Sequence, residues 1–314
     1  MKFEEYLASL QNKTVAVIGI GVSNRPLIEL LLSRGVAVTA CDRKDRAALG
    51  DIGDELEARG ARLRLGPDYL KDLTEDVIFR TPGMRPDLPE LTAAVERGSV
   101  LTSEMEVFFD VCPCPKIAVT GSDGKTTTTT IIAELLKRAG RTVHLGGNIG
   151  HPLLAETGEM RPGDIAVLEL SSFQLMTMTH SPHIAVVTNL APNHLDVHKD
   201  FQEYIDAKEN IFTHQTAEDI AVFNADNAYT AEEASRALGR ARLFSRQRNI
   251  GLDKAKRFDK KTDRTRQERI RERKAHLHIH TAGGRMKCFV KNLRQRYARH
   301  LRHPYSGLGQ TALA

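Results

Sequence analysis

Cysteine is scarce in this sequence and long apolar runs are missing. Four cysteines in 314 residues are too few for a disulfide framework. Cys112 and Cys114 sit together in VCPCPK, whereas Cys41 and Cys288 lie far away in the chain. A zinc site needs a second close pair, so reduced thiols beside a linker are expected. No apolar run approaches the ~20 residues of a membrane-spanning helix, and no membrane association is expected. The N-terminal MKFEEYLASL carries acidic residues and lacks a signal-type apolar stretch, which predicts a soluble cytoplasmic protein. With 41% hydrophobic and 27% charged residues, the chain is not disordered throughout, and its length predicts about two domains.

Charge is plentiful but unevenly placed. The chain holds 45 Lys and Arg against 40 Asp and Glu, a formal net charge of +5. From Arg246 to Ala314 there are 20 basic and 5 acidic residues, which leaves 25 basic and 35 acidic residues in positions 1–245. An acidic body is joined to a strongly basic ending, and the two are read separately. The whole-chain charge therefore gives no reason to expect nucleic-acid binding by the body; for the ending that question stays open.

Within the body, short β-branched runs alternate with longer helical patterns, the signature of parallel sheets covered by helices. TVAVIGIG predicts a buried strand, Pro26 to Arg34 a helix, and VAVTACD the next strand. DVIFRTPG and SVLTS predict further strands with a helix over Leu88 to Arg97 between them, and EMEVFFDV a helix. The two prolines of VCPCP disfavour both helix and central strand, which places a domain boundary near residue 113. A second alternating series follows. KIAVTG, RTVHLGG, DIAVLELSS, HIAVVTNL, DIAVFNAD and RARLFS predict strands; KTTTTTIIAELLKRAG, Phe201 to Phe212 and Tyr229 to Leu238 predict helices.

The strand-to-helix turns carry the chemistry. Gly19-Ile20-Gly21-Val22-Ser23-Asn24 resembles a dinucleotide turn with Asn24 in place of the third glycine, and Asp42 closes the next strand where a ribose-binding acid is expected. Two glycines let the backbone approach a phosphate at a helix N-terminus; a tight turn without a ligand is the competing reading. The second turn, Thr120-Gly121-Ser122-Asp123-Gly124-Lys125-Thr126-Thr127, has the strand-to-helix setting of a phosphate-binding loop. There Lys125 reaches the β/γ-phosphates and the Thr126 hydroxyl meets Mg²⁺, although Val119 stands where that pattern has its first glycine. Glu169 ends the strand DIAVLE beside Ser171 and Ser172, a place from which a carboxylate can hold Mg²⁺. His194 sits in a loop after another strand, and Lys208 in YIDAKENIF reads by default as a solvated helix residue.

Together VTGSDGKTTTT, HLGGNIG, LELSSFQL, TNLAPNHLDVH, YIDAKENIF and VFNADN resemble the Mur ligase family. Within it, LELSSFQL with LGGNIG points to the branch that adds D-glutamate. The resemblance implies an α/β protein: an N-terminal Rossmann-like domain (1–113) that binds a UDP substrate, and a central P-loop-type ATP-binding domain (114–245), present in part. It implies that ATP phosphorylates the L-alanyl carboxylate of UDP-N-acetylmuramoyl-L-alanine and that the D-glutamate amine attacks the acyl phosphate, a step in peptidoglycan precursor synthesis. By family match, residues 121–127 (Gly121, Ser122, Asp123, Gly124, Lys125, Thr126, Thr127) bind ATP and Thr126, Glu169 and His194 hold Mg²⁺. Lys125, Lys208 and His194 are catalytic by the same match, with Lys208 the lysine that relatives carry as a carbamate. Asn148 matches a substrate-binding position, and Gly19, Gly21, Val22, Ser23, Asp42, Arg43 and Gly83 are candidates for the uridine diphosphate. A monomer is expected.

The resemblance stops near Gln247, and the family's third domain has no counterpart here. The basic ending (246–314) has three readings: a nucleic-acid-binding extension, a solvated helix around Thr262 to Lys274, or an out-of-frame translation of missing ligase sequence. The last is preferred because the match ends inside a domain and 13 of the 20 basic residues are Arg. Loss of the domain that closes over ATP removes orientation that catalysis needs, so an inactive polypeptide is one expected outcome. The alternative function is a non-catalytic nucleotide- or nucleic-acid-binding remnant.

Overall fold

The structure, a computed structural model, describes residues 1–194 and 196–247. The expectations for residues 248–314, with the helix around Thr262 to Lys274 and Cys288, lie outside the described residues.

The first half runs α1 (Phe3–Ser9), β1 (Thr14–Ile18), α2 (Arg25–Ser33), β2 (Ala37–Asp42), α3 (Arg46–Leu49), α4 (Asp51–Ala58), β3 (Arg62–Leu65), β4 (Val77–Phe79), α5 (Pro89–Glu96), β5 (Val100–Thr102) and α6 (Glu104–Val111). Its strands are parallel in the order β3-β2-β1-β4-β5, with Val15 opposite both Val38 and Val77. Val15 to Ile18 are buried, because helices on both faces leave a central parallel strand no wet side; that is why the run is continuously apolar. The chain moves outward from β1 to β3, then returns to β4 on the other side of β1. The reversal opens a crevice beyond the carboxyl ends of β1 and β4.

The second half runs β6 (Lys116–Thr120), α7 (Lys125–Arg138), β7 (Val143–Gly147), a 3₁₀ turn (Leu154–Glu159), β8 (Ile165–Glu169), α8 (Ser172–Leu175), β9 (Ile184–Val187), α9 (Phe201–Thr213), β10 (Ile220–Asn224), α10 (Ala228–Glu233) and β11 (Arg240–Phe244). The order is β11-β10-β9-β6-β8-β7, again all parallel. β6 lies between β8 and β9, so the loops after these three strands meet at one end of the sheet. One hydrophobic cluster takes Val17 and Phe79 from the first sheet, Phe108 from α6, and Ala118 and Leu168 from the second sheet.

Helix starts follow local chemistry. Asp200 accepts the Glu203 amide at 2.8 Å to begin α9, and Asn227 accepts the Thr230 amide at 3.1 Å to begin α10. In α2, Pro26 occupies the first turn, where its missing N–H costs nothing. The strands and long helices expected from periodicity are present, but α10 ends at Glu233 rather than near Leu238. The sequence reading did not anticipate α1, α3, α4, β3, α8 or the 3₁₀ turn.

Candidate nucleotide and substrate sites

The loop between β6 and α7 is moulded from one side by the chain leaving β9. At Gly121 φ is +143°, and a Cβ there would stand 2.0 Å from Thr188 Oγ1, so only glycine fits. Thr188 Oγ1 donates to the Asp123 carbonyl at 2.7 Å. Asn189 grips Asp123 twice: its Oδ1 accepts the Asp123 amide at 3.0 Å and its Nδ2 donates to the Asp123 carbonyl at 2.9 Å. Ser122 Oγ donates to the Ala191 carbonyl at 2.9 Å and lies 2.9 Å from the Tyr204 hydroxyl. Gly124, with φ +77°, turns the chain into α7, and no side chain caps that helix. The first amides of α7 and the positive end of its dipole are therefore an anion seat.

The side chains around that seat converge. Lys125 Nζ folds back to donate to the Ser122 carbonyl at 3.0 Å. Thr126 Oγ1 donates to Glu169 Oε2 at 2.6 Å, and Asn148 Nδ2 donates to Glu169 Oε1 at 2.9 Å. Asn148 is delivered by Gly147, whose φ is +95° and whose absent Cβ would stand 2.2 Å from the Glu169 carbonyl oxygen. Thr127 lies exposed on the first turn of α7. His194, exposed and with φ +54°, sets its ring edge-on against Phe173 at 5.3 Å between centroids. Among the described residues no three His, Cys, Asp or Glu side chains converge as a metal cluster. The oxygen donors brought together at this point are Thr126 and Glu169.

Lys208 departs from its default reading. It is not a solvated helix residue: α9 packs its side chain inward, leaving it 3% exposed. Its Nζ donates to Thr120 Oγ1 at 3.2 Å and to the Gly121 carbonyl at 3.1 Å, and lies 4.7 Å from the centre of the Tyr204 ring. Burial, aided by the nearby Lys125 ammonium and opposed by Glu169, pushes its pKa down to about 7. The periodicity of α9 carries the reason, since Tyr204, Ala207, Lys208 and Ile211 share the face turned to the sheet.

A second site lies in the first domain. A pocket of ≈ 450 Å³ beyond the ends of β1 and β4 is lined by Gly19, Asp42, Arg43, Tyr69, Gly83 and Arg85, among others. Of the residues expected there, Gly21, Val22 and Ser23 are not in the lining; Val22 is 81% exposed on the turn. Asp42 braces that turn, accepting the Ile20 amide at 2.7 Å and the Lys44 amide at 2.9 Å. Asn24, where a third glycine was the pattern, is buried and donates to the Ile18 carbonyl at 2.8 Å, tying strand end to helix start.

The Mur ligase middle domain matches residues 119–293, more than half of the chain and past Gln247. The chain belongs to the Mur ligase family. The UDP-N-acetylmuramoylalanine–D-glutamate ligase of Ruminiclostridium cellulolyticum is 54% identical over 250 residues, covering 79% of this chain and 54% of that protein. The ligase of the same name from Acetivibrio thermocellus is 52% identical over 246 residues, 78% of this chain and 53% of that protein. The chain thus spans about half the length of the curated relatives it matches. In fold it resembles the UDP-N-acetylmuramate:L-alanyl-γ-D-glutamyl-meso-diaminopimelate ligase from Neisseria meningitides, with a TM-score of 0.52 and 19% identity over 74% of this chain and 78% of that one.

In this member of the Mur ligase family two arginines that sequence reasoning missed connect the sites. Arg80, 1% exposed, donates to the Pro82 and Met84 carbonyls of the pocket loop at 3.3 and 3.0 Å. Its other nitrogen reaches the Phe173 carbonyl at 3.3 Å and Thr177 Oγ1 at 2.6 Å, in the segment that follows Glu169. Arg85, which lines the pocket, donates to the Val197 carbonyl at 2.8 Å and to Glu203 at 2.9 and 3.0 Å. His198 is also buried, stacked on Phe173 at 5.3 Å with Nε2 2.9 Å from Ser172 Oγ, and burial draws its pKa down. Its spacing of four from His194 in HLDVH was the available signal. Changing Arg80 to Met removes the guanidinium and strands these acceptors, so urea unfolding is expected to show a loss of about 2–4 kcal/mol.

Proposed function

We propose that these two domains carry the substrate and nucleotide sites of an ATP-dependent ligase that joins D-glutamate to UDP-N-acetylmuramoyl-L-alanine, acting in the cytoplasm as a monomer. The observation that carries the reading is the buried Lys208 bonded to the phosphate loop beside the Thr126–Glu169 pair. The relatives' shared name supports the choice of substrates. Among the described residues no helix is long and apolar enough to cross a membrane.

The α7 amides and Lys125 hold the β/γ-phosphates of ATP against the loop. Two hard oxygens, Thr126 Oγ1 and Glu169 Oε2, stand 2.6 Å apart at the loop's edge and are the donors that would hold Mg²⁺. His194 is the further proposed ligand. When bound, Mg²⁺ offsets charge on the transferring phosphoryl group. A carboxylate is a poor electrophile; phosphorylation turns it into an acyl phosphate with a good leaving group, which the D-glutamate amine displaces to form the amide. Lys125 stabilises charge on the phosphoryl in transit. Lys208, whose lowered pKa leaves a large neutral fraction near pH 7, is able in that form to take up CO₂, lose a proton and become an anionic carbamate facing the same site. Asn148, by fixing Glu169, keeps the carboxylate aimed at the loop. The uridine diphosphate occupies the first-domain pocket, with Arg43 and Arg85 for its phosphates and the Gly19 and Gly83 backbones at close approach.

The direct test is product formation from UDP-N-acetylmuramoyl-L-alanine, ATP and D-glutamate. No amide product from a chain that binds the UDP substrate would sink the ligase claim for this polypeptide. At the nucleotide site, Glu169→Gln keeps the shape but removes the charge. Calorimetric titration is expected to show Mg²⁺-dependent ADP affinity reduced about tenfold or more, roughly the strength of one charge-assisted contact. UDP-substrate affinity should not change; an equal loss at both sites would mean that Glu169 acts through the fold.

A further inference from the structure

The linker between α6 and β6 contains a feature that the proposed ligase chemistry does not use. Cys112 and Cys114 are both buried, and their sulfurs lie 3.3 Å apart. Two residues in straight extended chain point the same way but stand about 6.6 Å apart, so this approach needs a bend. The chain bends at Cys114, between Pro113 and Pro115, whose fixed φ values limit what the linker can do. Both ends are also fastened. The Cys112 amide closes α6 on the Phe108 carbonyl at 2.9 Å, and the Ala166 amide donates to the Pro115 carbonyl at 2.9 Å. Lys116 donates its amide to His183 Nδ1 at 3.2 Å and its Nζ to the Cys112 carbonyl at 3.3 Å. The two thiols have little freedom to separate.

We propose that Cys112 and Cys114 form an oxidisable dithiol whose co-substrate is a small hydroperoxide and whose product is a disulfide within the linker at the root of β6. The Cys112 thiolate attacks the peroxide O–O bond, hydroxide leaves, and Cys112 becomes a sulfenic acid. Cys114 then loses its proton and attacks that sulfur; the S–S bond forms, the S–O bond breaks, and the oxygen leaves as water. In total two thiols give up two electrons and two protons, and hydrogen peroxide is reduced to two waters, an alkyl hydroperoxide to an alcohol and one water. Order of attack follows from the surroundings. The Cys114 S–H directed at Cys112 favours the thiolate there against burial, the Lys116 charge helps, and the same contact pushes Cys114 up. Both cysteines belong to the apolar cluster that includes residues of both sheets. An uncharged disulfide suits that setting, and among the described residues no third metal-ligating side chain joins the two thiols. Cys41 provides the internal contrast: it is buried, has no thiol neighbour among the described residues, and burial pushes its pKa to about 12, so it is expected to react slowly.

The test is to expose the full chain to rising hydrogen peroxide, quench, unfold, alkylate and map the peptides by mass. The peptide that spans residues 112–116 is expected to lose two hydrogens and both alkylation sites together, to recover with a dithiol reductant, and to react about tenfold or more faster than Cys41. Cysteines 112 and 114 that stay alkylatable until Cys41 is consumed would overturn the proposal. So would separate oxidation of each to a sulfinic acid. Cys114→Ser removes the second thiol, and a 1,3-dione reagent should then trap sulfenic acid at Cys112; a folded variant without that adduct rejects the assigned chemistry.

Discussion

Replacing Gly121 with alanine is expected to abolish nucleotide binding and to destabilise the fold by about 3 kcal/mol or more. Two separate costs add. The backbone φ of +143° lies where a side chain is strained, and the new Cβ would stand 2.0 Å from Thr188 Oγ1 and 3.0 Å from the Asn189 carbonyl oxygen. Thr188 cannot step aside cheaply, because its hydroxyl donates to the Thr120 and Asp123 carbonyls at 3.2 and 2.7 Å. Asn189 is held by its own bonds to Asp123. The loop must therefore move, and with it the amides that face the anion. Gly124→Ala is the control: φ is +77° with open space around the missing Cβ, so the expected cost is only the ~1–2 kcal/mol of a left-handed residue. Urea unfolding and ADP calorimetry on both variants check this. A Gly121→Ala protein that binds ADP like the parent would remove the close approach from the account of the loop. Adding Thr188→Ala should return part of the stability by deleting the first clash, and none of the φ strain.

What could be read beforehand divides along physical lines. The runs VAVI and IAVL within β1 and β8 are continuously apolar because central parallel strands are covered on both faces, and no other element type places so short a β-branched run between turn signals. The glycines of the phosphate loop were legible for the same reason, since their backbone demands leave few residue choices. The elements that went unseen are short and depend on partners. The helix Phe3–Ser9 buries only Phe3 and Leu7, too little for a pattern, and Gly158 of the distant 3₁₀ turn gives the Phe3 ring room. The edge strand Arg62–Leu65 alternates over four residues only. At the site, chemistry by residue type pointed to Thr126 and Glu169, whereas Arg80 carried no local signal and His198 only its spacing of four from His194. Their roles come from burial and from bonds to residues about a hundred and about thirty positions away in the chain, information that a local window does not contain. Lys208 was misjudged on its own terms for the same cause: a lysine in an amphipathic pattern is normally solvated, and only the packed helix reveals which face it occupies.

That buried lysine leads to the second large effect. Lys208→Met is expected to make the protein more stable than the parent at pH 7 and to lose that advantage toward pH 10. The folded pKa is lowered from an ordinary 10.5 to about 7, so between those values the unfolded chain binds more protons than the folded one. Stability of the parent then rises with pH across that window, by up to about 1.4 kcal/mol per pH unit. Below pH 7 both states carry the charge, and the cost of the buried ammonium is present in full and constant. Methionine fills a similar volume without the charge. It also strands Thr120 Oγ1 and the Gly121 carbonyl, which accept from Nζ at 3.2 and 3.1 Å and whose loss offsets about 1–2 kcal/mol of the gain. The net difference should be a few kcal/mol at pH 6 to 7 and reverse sign near pH 10. Urea unfolding at pH 6, 8 and 9.5 in CO₂-free buffer measures it, and a difference that does not vary with pH would rule out the lowered pKa. Carbonated buffer supplies the complementary arm. If the neutral amine takes up CO₂, bicarbonate should raise the parent's stability near pH 8 and leave the methionine variant unmoved, because a carbamate replaces the buried neutral amine with an anion beside the Lys125 ammonium and the phosphate loop. A lysine that weakens the fold as a cation yet sits bonded to that loop is explained by what its neutral form can bind.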